Sequence, residues 1–300
     1  MINVEKLNEE FGIPGVLSFE KSDGNLIFLN VANNYADARI TPYGAHITSF
    51  KPHNSKDILW MSPQSYFEVG KPIRGGIPVC FPWFGPHKTD NGKPQHGFGR
   101  LMYWEIAEAF VTENGATLVR FKLNSSEETK AYWPYEFCAE FTVVIGNVLN
   151  ATLKVTNNSA IPFNYSCALH TYFNLSEIEL IIIDGLTQAR YHNHLEPGIF
   201  HNDSSKIKIH QAETRHYHDT EATCLIEDPG FGRKISVAKS GSKITTVWNP
   251  GMEACATIGD LPDDAYKTFV CIEAVNSFED TIILNPGESH ETSAIIGLVN

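Results

Sequence analysis

Residues 139–157 read AEFTVVIGNVLNATLKVTN. Two runs rich in β-branched and aromatic residues, 139–146 and 150–157, are bounded by Gly and Asn, the composition and punctuation of short strands. The same signature recurs at 25–31, 45–49, 117–122, 206–210, 235–238 and 244–248. Helical patterning is confined to one short stretch, 3–11, and a single turn at 263–267. Repeated short strands without interleaved helices predict an all-β chain, a large antiparallel sandwich or barrel-like fold.

The chain has 300 residues, which could make two domains of average length, but large all-β chains often stay single. No linker, repeat or low-complexity tract divides it. The expectation is one domain over 1–300 with a short N-terminal extension, 1–22. Lys and Arg number 23 against 35 Asp and Glu, a formal net charge of −12. An acidic chain without a basic block is a poor binder of nucleic acid or anionic membranes, though a few converging Arg can still hold a small anion. The six cysteines (80, 138, 167, 224, 255, 271) include no C-x-x-C pair, which excludes a zinc ribbon or a thioredoxin-type motif. Most sit in apolar surroundings suited to reduced thiols. The segment 1–11 lacks the apolar core of a signal peptide, and no apolar run approaches the roughly 18 residues of a membrane span. A cytoplasmic, monomeric protein with free thiols is expected.

The segment 71–100, KPIRGGIPVCFPWFGPHKTDNGKPQHGFGR, holds six Gly and five Pro. It cannot be regular sheet throughout, because Pro removes ladder donors and Gly weakens strand interiors. Long ordered loops of this kind present side chains, here Arg74, Trp83, Phe84, Gln95, His96 and Arg100. Cations, an amide and aromatic faces suit a polar, ring-shaped and anionic ligand. A Pro-rich surface loop with solvated arginines is the plainer alternative.

Two ionisable residues stand in strand-like apolar settings. In 269–275, period-2 alternation puts Cys271, Glu273 and Val275 on one face. In 165–173, His170 shares a face with Ala168 and Tyr172. Burial raises a Glu pKa and lowers a His pKa, and a pair tuned this way can run general acid and general base chemistry together. Mutual attraction at short range acts in the opposite direction. Each residue also has an architectural reading: a carboxylate holding an Arg or backbone amides, and a satisfied core histidine.

Other constellations are weaker. Tyr191-His192-Asn193-His194 and the histidines 201, 210, 216 and 218 supply imidazoles, but no carboxylate or Cys spacing completes a metal site. They read as surface residues. Neither a P-loop, nor a strand-linked G-x-G-x-x-G, nor a G-x-S-x-G elbow is present.

Taken in order, several stretches resemble the hexose-6-phosphate mutarotases (glucose-6-phosphate 1-epimerases), a branch of the aldose 1-epimerase superfamily. They are RGGIP (74–78) with FPWFG (81–85), QHGFGR (95–100), WPYEF (133–137), ALHTYF (168–173), VWNP (247–250) and VCIEAVN (270–276). The resemblance implies a β-supersandwich of the galactose mutarotase type, with no metal and no organic cofactor. It implies Glu273 as general base and His170 as general acid. Arg74, Gln95 and Arg100 fall where the family binds substrate, with His96 a second sugar contact. Three positions depart from the family pattern. Thr214 stands where an Asp is usual, with Glu213 beside it, although a one-residue shift along a strand reverses the face. Tyr191-His192-Asn193-His194 replaces a Tyr-x-Asp-Lys turn, and Gly251 replaces an aromatic.

The implied reaction interconverts the α and β anomers of an aldohexose 6-phosphate, with Thr214 among the substrate contacts and the two arginines on the phosphate. Trp83 or Phe84 would cover an apolar sugar face. The alternatives are the same chemistry on unphosphorylated sugars, or a non-catalytic carbohydrate-binding protein on the same fold.

Overall fold

A computed structural model of the protein describes residues 3–22, 24–203 and 206–299. Met1 and Ile2 of the N-terminal segment, and Asn300, lie outside them. Every strand pair is antiparallel, as the strand-rich sequence requires. A nine-stranded sheet and an eight-stranded sheet dominate, accompanied by a four-stranded meander and a two-stranded ribbon. The architecture is the large all-β one expected.

The 139–157 stretch lies in two adjoining inner strands of the nine-stranded sheet. Phe137–Ile145 and Val148–Asn157 pair across the Gly146-Asn147 turn with Phe141 opposite Leu153. Burial alternates along both strands: Phe137, Ala139, Phe141, Val143 and Ile145 are inside, and so are Leu149, Ala151, Leu153 and Val155. One face of this sheet is therefore core and the other is wet.

The eight-stranded sheet differs at its centre. All eight residues of Phe269–Asn276 are buried, so both of its faces are covered. Val270, Ile272 and Ala274 join the main apolar core together with Phe141 and Leu153. Cys271 and Val275, on the other face, belong to two smaller clusters with Tyr172 and Ala168. Loop 71–100 reaches that second face with Cys80 and Phe84, while its Phe81, Trp83 and Phe98 pack into the main core. It contains one two-residue strand, Val79–Cys80, and ends in a turn of 3-10 helix at Gly99–Leu101, in keeping with its Pro and Gly content.

Backbone hydrogen bonds lace this loop to its neighbours. Gly76 N donates to Trp60 O at 2.7 Å, Tyr172 N to Gly76 O at 2.9 Å, and His170 N to Pro78 O at 3.2 Å. The Phe81–Pro82 bond is cis, and the Phe81 ring packs edge-on against Phe98, Trp133, Phe137 and Tyr165. Gly76 has φ of 61°, and a Cβ there would lie 2.1 Å from Ile47 O. Only glycine fits.

Several local expectations shift. The helix expected at 3–11 spans Val4–Phe11, capped by Asn3. Two short helices, Glu127–Tyr132 and Gly251–Cys255, appear where none was expected. The first rests on a Ser126/Thr129 capping box, a local signal that strand-seeking periodicity overlooks. The strand expected at 206–210 ends at Ile207. Leu17–Lys21 pairs with Ile27–Ala32, which builds that part of the N-terminal extension into the four-stranded sheet.

Gly76→Ala should destabilise the protein by at least about 1–3 kcal/mol, the range for a non-glycine residue held in the left-handed region. A lower urea midpoint at unchanged slope checks this.

Candidate active site

Neighbouring strands bring the candidate residues onto one face. Thr246 sits opposite Glu273, His216 opposite Thr246, and His192 opposite His216. One row along, Tyr172 and Trp248 flank Cys271, and Thr214 lies opposite Trp248. His170 follows Cys167–Leu169, whose Ala168 pairs with Val275 on this same face.

The centre is a close pair. His170 Nε2 lies 3.4 Å from Glu273 Oε1, and the two side chains are 10% and 1% exposed. Burial pushes Glu273 well above the ordinary carboxylate range. Burial, helped by the guanidiniums of Arg100 and Arg74, pulls His170 down to about 3. Desolvation thus outweighs the attraction that a charged pair would feel. Both neutral forms are favoured, with one proton on the carboxyl and a neutral imidazole. Glu273 Oε2 and His170 Nδ1 are buried without hydrogen-bond partners.

Aromatic rings hold the imidazole. Tyr172 stacks on His170 with centroids 4.9 Å apart, Trp248 meets it edge-on at 5.8 Å, and His96 does so at 5.7 Å. His96 itself sits at φ of 64°, an uncommon conformation for a residue with a Cβ. Gly85 clamps it twice: His96 N donates to Gly85 O, and Gly85 N donates to His96 Nδ1.

The two arginines approach from the loop. Arg74 Nε pairs with Asp260 at 3.1 Å, and its Nη1 donates to the Tyr172 hydroxyl at 3.3 Å. Arg100 Nη2 donates to the Gln95 carbonyl at 2.8 Å. Burial lowers the Arg100 pKa, and the nearby Arg74 charge adds to that effect. Two like charges that feel each other in one buried region favour an anion as their partner. Gln95 contributes its backbone to Arg100 and leaves its side chain exposed.

Of the two aromatic candidates, Phe84 faces this region, packing against His96 and His216. Trp83 does not. It belongs to the main core, with its indole N–H on the Pro94 carbonyl. Glu213 cannot stand in for Asp at the Thr214 position. Strand alternation turns it to the opposite face, where it pairs with Arg215 at 3.0 Å and burial raises it to about 7. Gly251 has φ of 66° and a Cβ there would lie 2.7 Å from Ala212 N, so the aromatic usual in the family could not be accommodated.

The histidine reading needs correction. His194, His201 and His210 are exposed, but His216 and His218 are buried and His192 is half-buried. The imidazoles of His192 and His218 meet at 2.7 Å, His218 Nδ1 reaches Glu279 at 2.7 Å, and His216 Nδ1 meets Thr246 Oγ1 at 2.7 Å. Polar sequence concealed this because the strand Glu213–Tyr217 is buried by partners distant in the chain. Tyr172, Trp248, Asp260 and Cys271 also belong to the site. Tyr172 and Cys271 were legible from their period-2 relation to His170 and Glu273; Asp260, 186 residues from Arg74, was not.

The larger surface cavities lie elsewhere. One of about 620 Å³ is bordered by His210, Asn249, Gly251 and Tyr266, and does not include His170 or Glu273. Chemistry, rather than volume, marks the site.

The family model described as "Aldose 1-epimerase" matches residues 28–296. The chain belongs to the aldose 1-epimerase family. It is 33% identical over 284 residues to an Escherichia coli K12 protein named "Putative glucose-6-phosphate 1-epimerase", covering 94% of each chain. A Salmonella typhimurium protein of the same name is 34% identical over 278 residues, covering 90% of this chain and 91% of the other. Among solved structures, one titled a "putative mutarotase (YeaD)" from Salmonella typhimurium superposes with a TM-score of 0.89 at 28% identity, covering 99% of each chain. Family members with these folds account for the β-supersandwich expected from the motifs. No helix among the described residues is long and apolar enough to cross a membrane.

Removing the buried carboxyl should alter how stability depends on pH. Because the folded pKa of Glu273 lies above its unfolded value, the folded state keeps a proton that the unfolded state releases. Its contribution is complete below about pH 4.5 and declines as pH rises through the folded pKa. Glu273→Gln should therefore gain stability relative to wild type between pH 4 and pH 8, read from denaturant midpoints.

Proposed function

We propose that the protein interconverts the α and β anomers of an aldohexose, preferentially as its 6-phosphate, with Glu273 and His170 as the acid–base pair. The observation that carries this is their 3.4 Å separation on a buried face, with burial driving the two pKa values in opposite directions. Glu273 takes the proton from the anomeric O1 hydroxyl while His170 delivers one to the ring oxygen. The ring opens to the aldehyde, rotation about C1–C2 exposes the other carbonyl face, and the roles reverse on closure. Matched proton transfers keep full charge from accumulating on the sugar.

The arginines give the phosphate a second task. Their charges help hold His170 neutral. A phosphate dianion between Arg74 and Arg100 offsets those charges, which favours the imidazolium–carboxylate form needed for the first step. Gln95, His96 and Thr214 are proposed sugar contacts, and Phe84 and Trp248 offer the apolar faces. The names of the Escherichia coli and Salmonella typhimurium relatives support the phosphosugar reading.

Magnetisation-transfer NMR on glucose 6-phosphate at neutral pH tests the proposal. Exchange should be rapid in wild type and fall about 10²- to 10⁴-fold in Glu273→Gln and His170→Gln, the range for a lost general acid or base. Undiminished exchange in Glu273→Gln would overturn the assignment of the base. Silence of wild type toward glucose 6-phosphate, glucose and galactose alike would favour a sugar-binding protein.

Arg100→Ala should reduce kcat/KM for the phosphosugar about 10- to 150-fold, from about 1.5–3 kcal/mol for a charge-assisted hydrogen bond, and affect free glucose far less. Equal losses on both sugars would remove the phosphate role.

The pH profile follows from the pair. With free glucose, kcat/KM should be flat through pH 6.5, its acid limb displaced toward the low His170 value. With glucose 6-phosphate an inflection near about pH 6 should appear, belonging to the second ionisation of the phosphate.

A further inference from the structure

Cys271 lies beside the pair and has no part in the proton transfers. One ligand atom from each of His170, Cys271 and Glu273 lies within 4.8 Å of the other two, and all three residues are buried. We propose that these side chains bind a thiophilic divalent cation of the zinc or cadmium kind, and that its binding shuts off anomer exchange.

The donor set supports this. Imidazole nitrogen, thiolate sulfur and carboxylate oxygen are the three ligand types that zinc uses, at about 2.0–2.3 Å. Two ligands at these lengths around a tetrahedral ion stand about 3.4 Å apart, and His170 Nε2 and Glu273 Oε1 are separated by 3.4 Å. Glu273 Oε2, buried without a partner, offers a further lone pair. Arg74 and Arg100 oppose an incoming cation, but Arg74 is paired with Asp260, and the thiolate and carboxylate together cancel a double positive charge. Binding releases two protons, one from the Cys271 thiol and the one shared by the pair, with no change in oxidation state. The ion then occupies the lone pairs that the two proton transfers require, so it acts as an inhibitor.

The effect on turnover rests on the proposed function; the binding does not. The protein is titrated with cadmium chloride without sugar, following the thiolate-to-metal charge-transfer absorption, and anomer exchange is then measured at the same free cadmium. One equivalent should bind in wild type and in Cys138→Ser, and the band should be lost in Cys271→Ala. At a free concentration ten times the Kd, wild-type exchange should fall about tenfold, while Cys271→Ala keeps its own metal-free rate. Should Cys271→Ala fail to fold, cadmium NMR of wild type should report a donor set with a single sulfur. No band in wild type, a band that survives in Cys271→Ala, or a multi-thiolate signal would overturn the site. A band with unimpaired exchange would overturn the inhibition. If the band appears but no sugar exchanges even without metal, the metal site stands and the proposed function fails.

Discussion

The placing of a carboxyl group inside a strand that is covered on both faces governs this structure. Every residue of Phe269–Asn276 is buried, and Glu273 is the only charged one among them. Such a group is tolerated when it takes up a proton or finds a partner. Here burial holds a proton on it, and His170 stands 3.4 Å away. The main core supplies the rigid backing: Ile272 and Ala274 join it from one side of the strand while Cys271, Glu273 and Val275 face the other.

The rest of the site counterbalances that arrangement. Asp260 neutralises Arg74, and Tyr172 links the same guanidinium to the stacked imidazole of His170. Arg100 is drawn in by the Gln95 carbonyl and remains the less compensated charge. An acidic chain can thus present a local positive patch beside a neutral, buried His–Glu pair. Groups kept neutral by burial and held within 4.8 Å of one another are also groups whose protons a tightly binding cation can replace.

Much of this was legible before the fold was known. Period-2 alternation placed Cys271 with Glu273 and His170 with Tyr172, and the cross-strand register agrees with both. The Pro and Gly content of 71–100 announced an ordered loop. The burial of His216 and His218 was not legible, since it depends on Phe278, Glu279 and Thr246 approaching from other parts of the chain. Trp83 and Phe84 are adjacent and chemically alike, and only packing separates the core residue from the one facing the site.

The amino-acid sequence by itself determined the strand-rich class and the ordered motifs that mark the family, because these rest on local composition and spacing; it also offered His170 and Glu273 as buried titratable candidates, whose acid–base roles came from the family resemblance. Tertiary structure decided everything that depends on distance across the chain. It coupled Arg74 to Asp260, buried His216 and His218, and set Cys271 within ligand range of His170. It also decided that desolvation prevails over mutual attraction between Glu273 and His170, since that balance is set by how completely surrounding side chains exclude water.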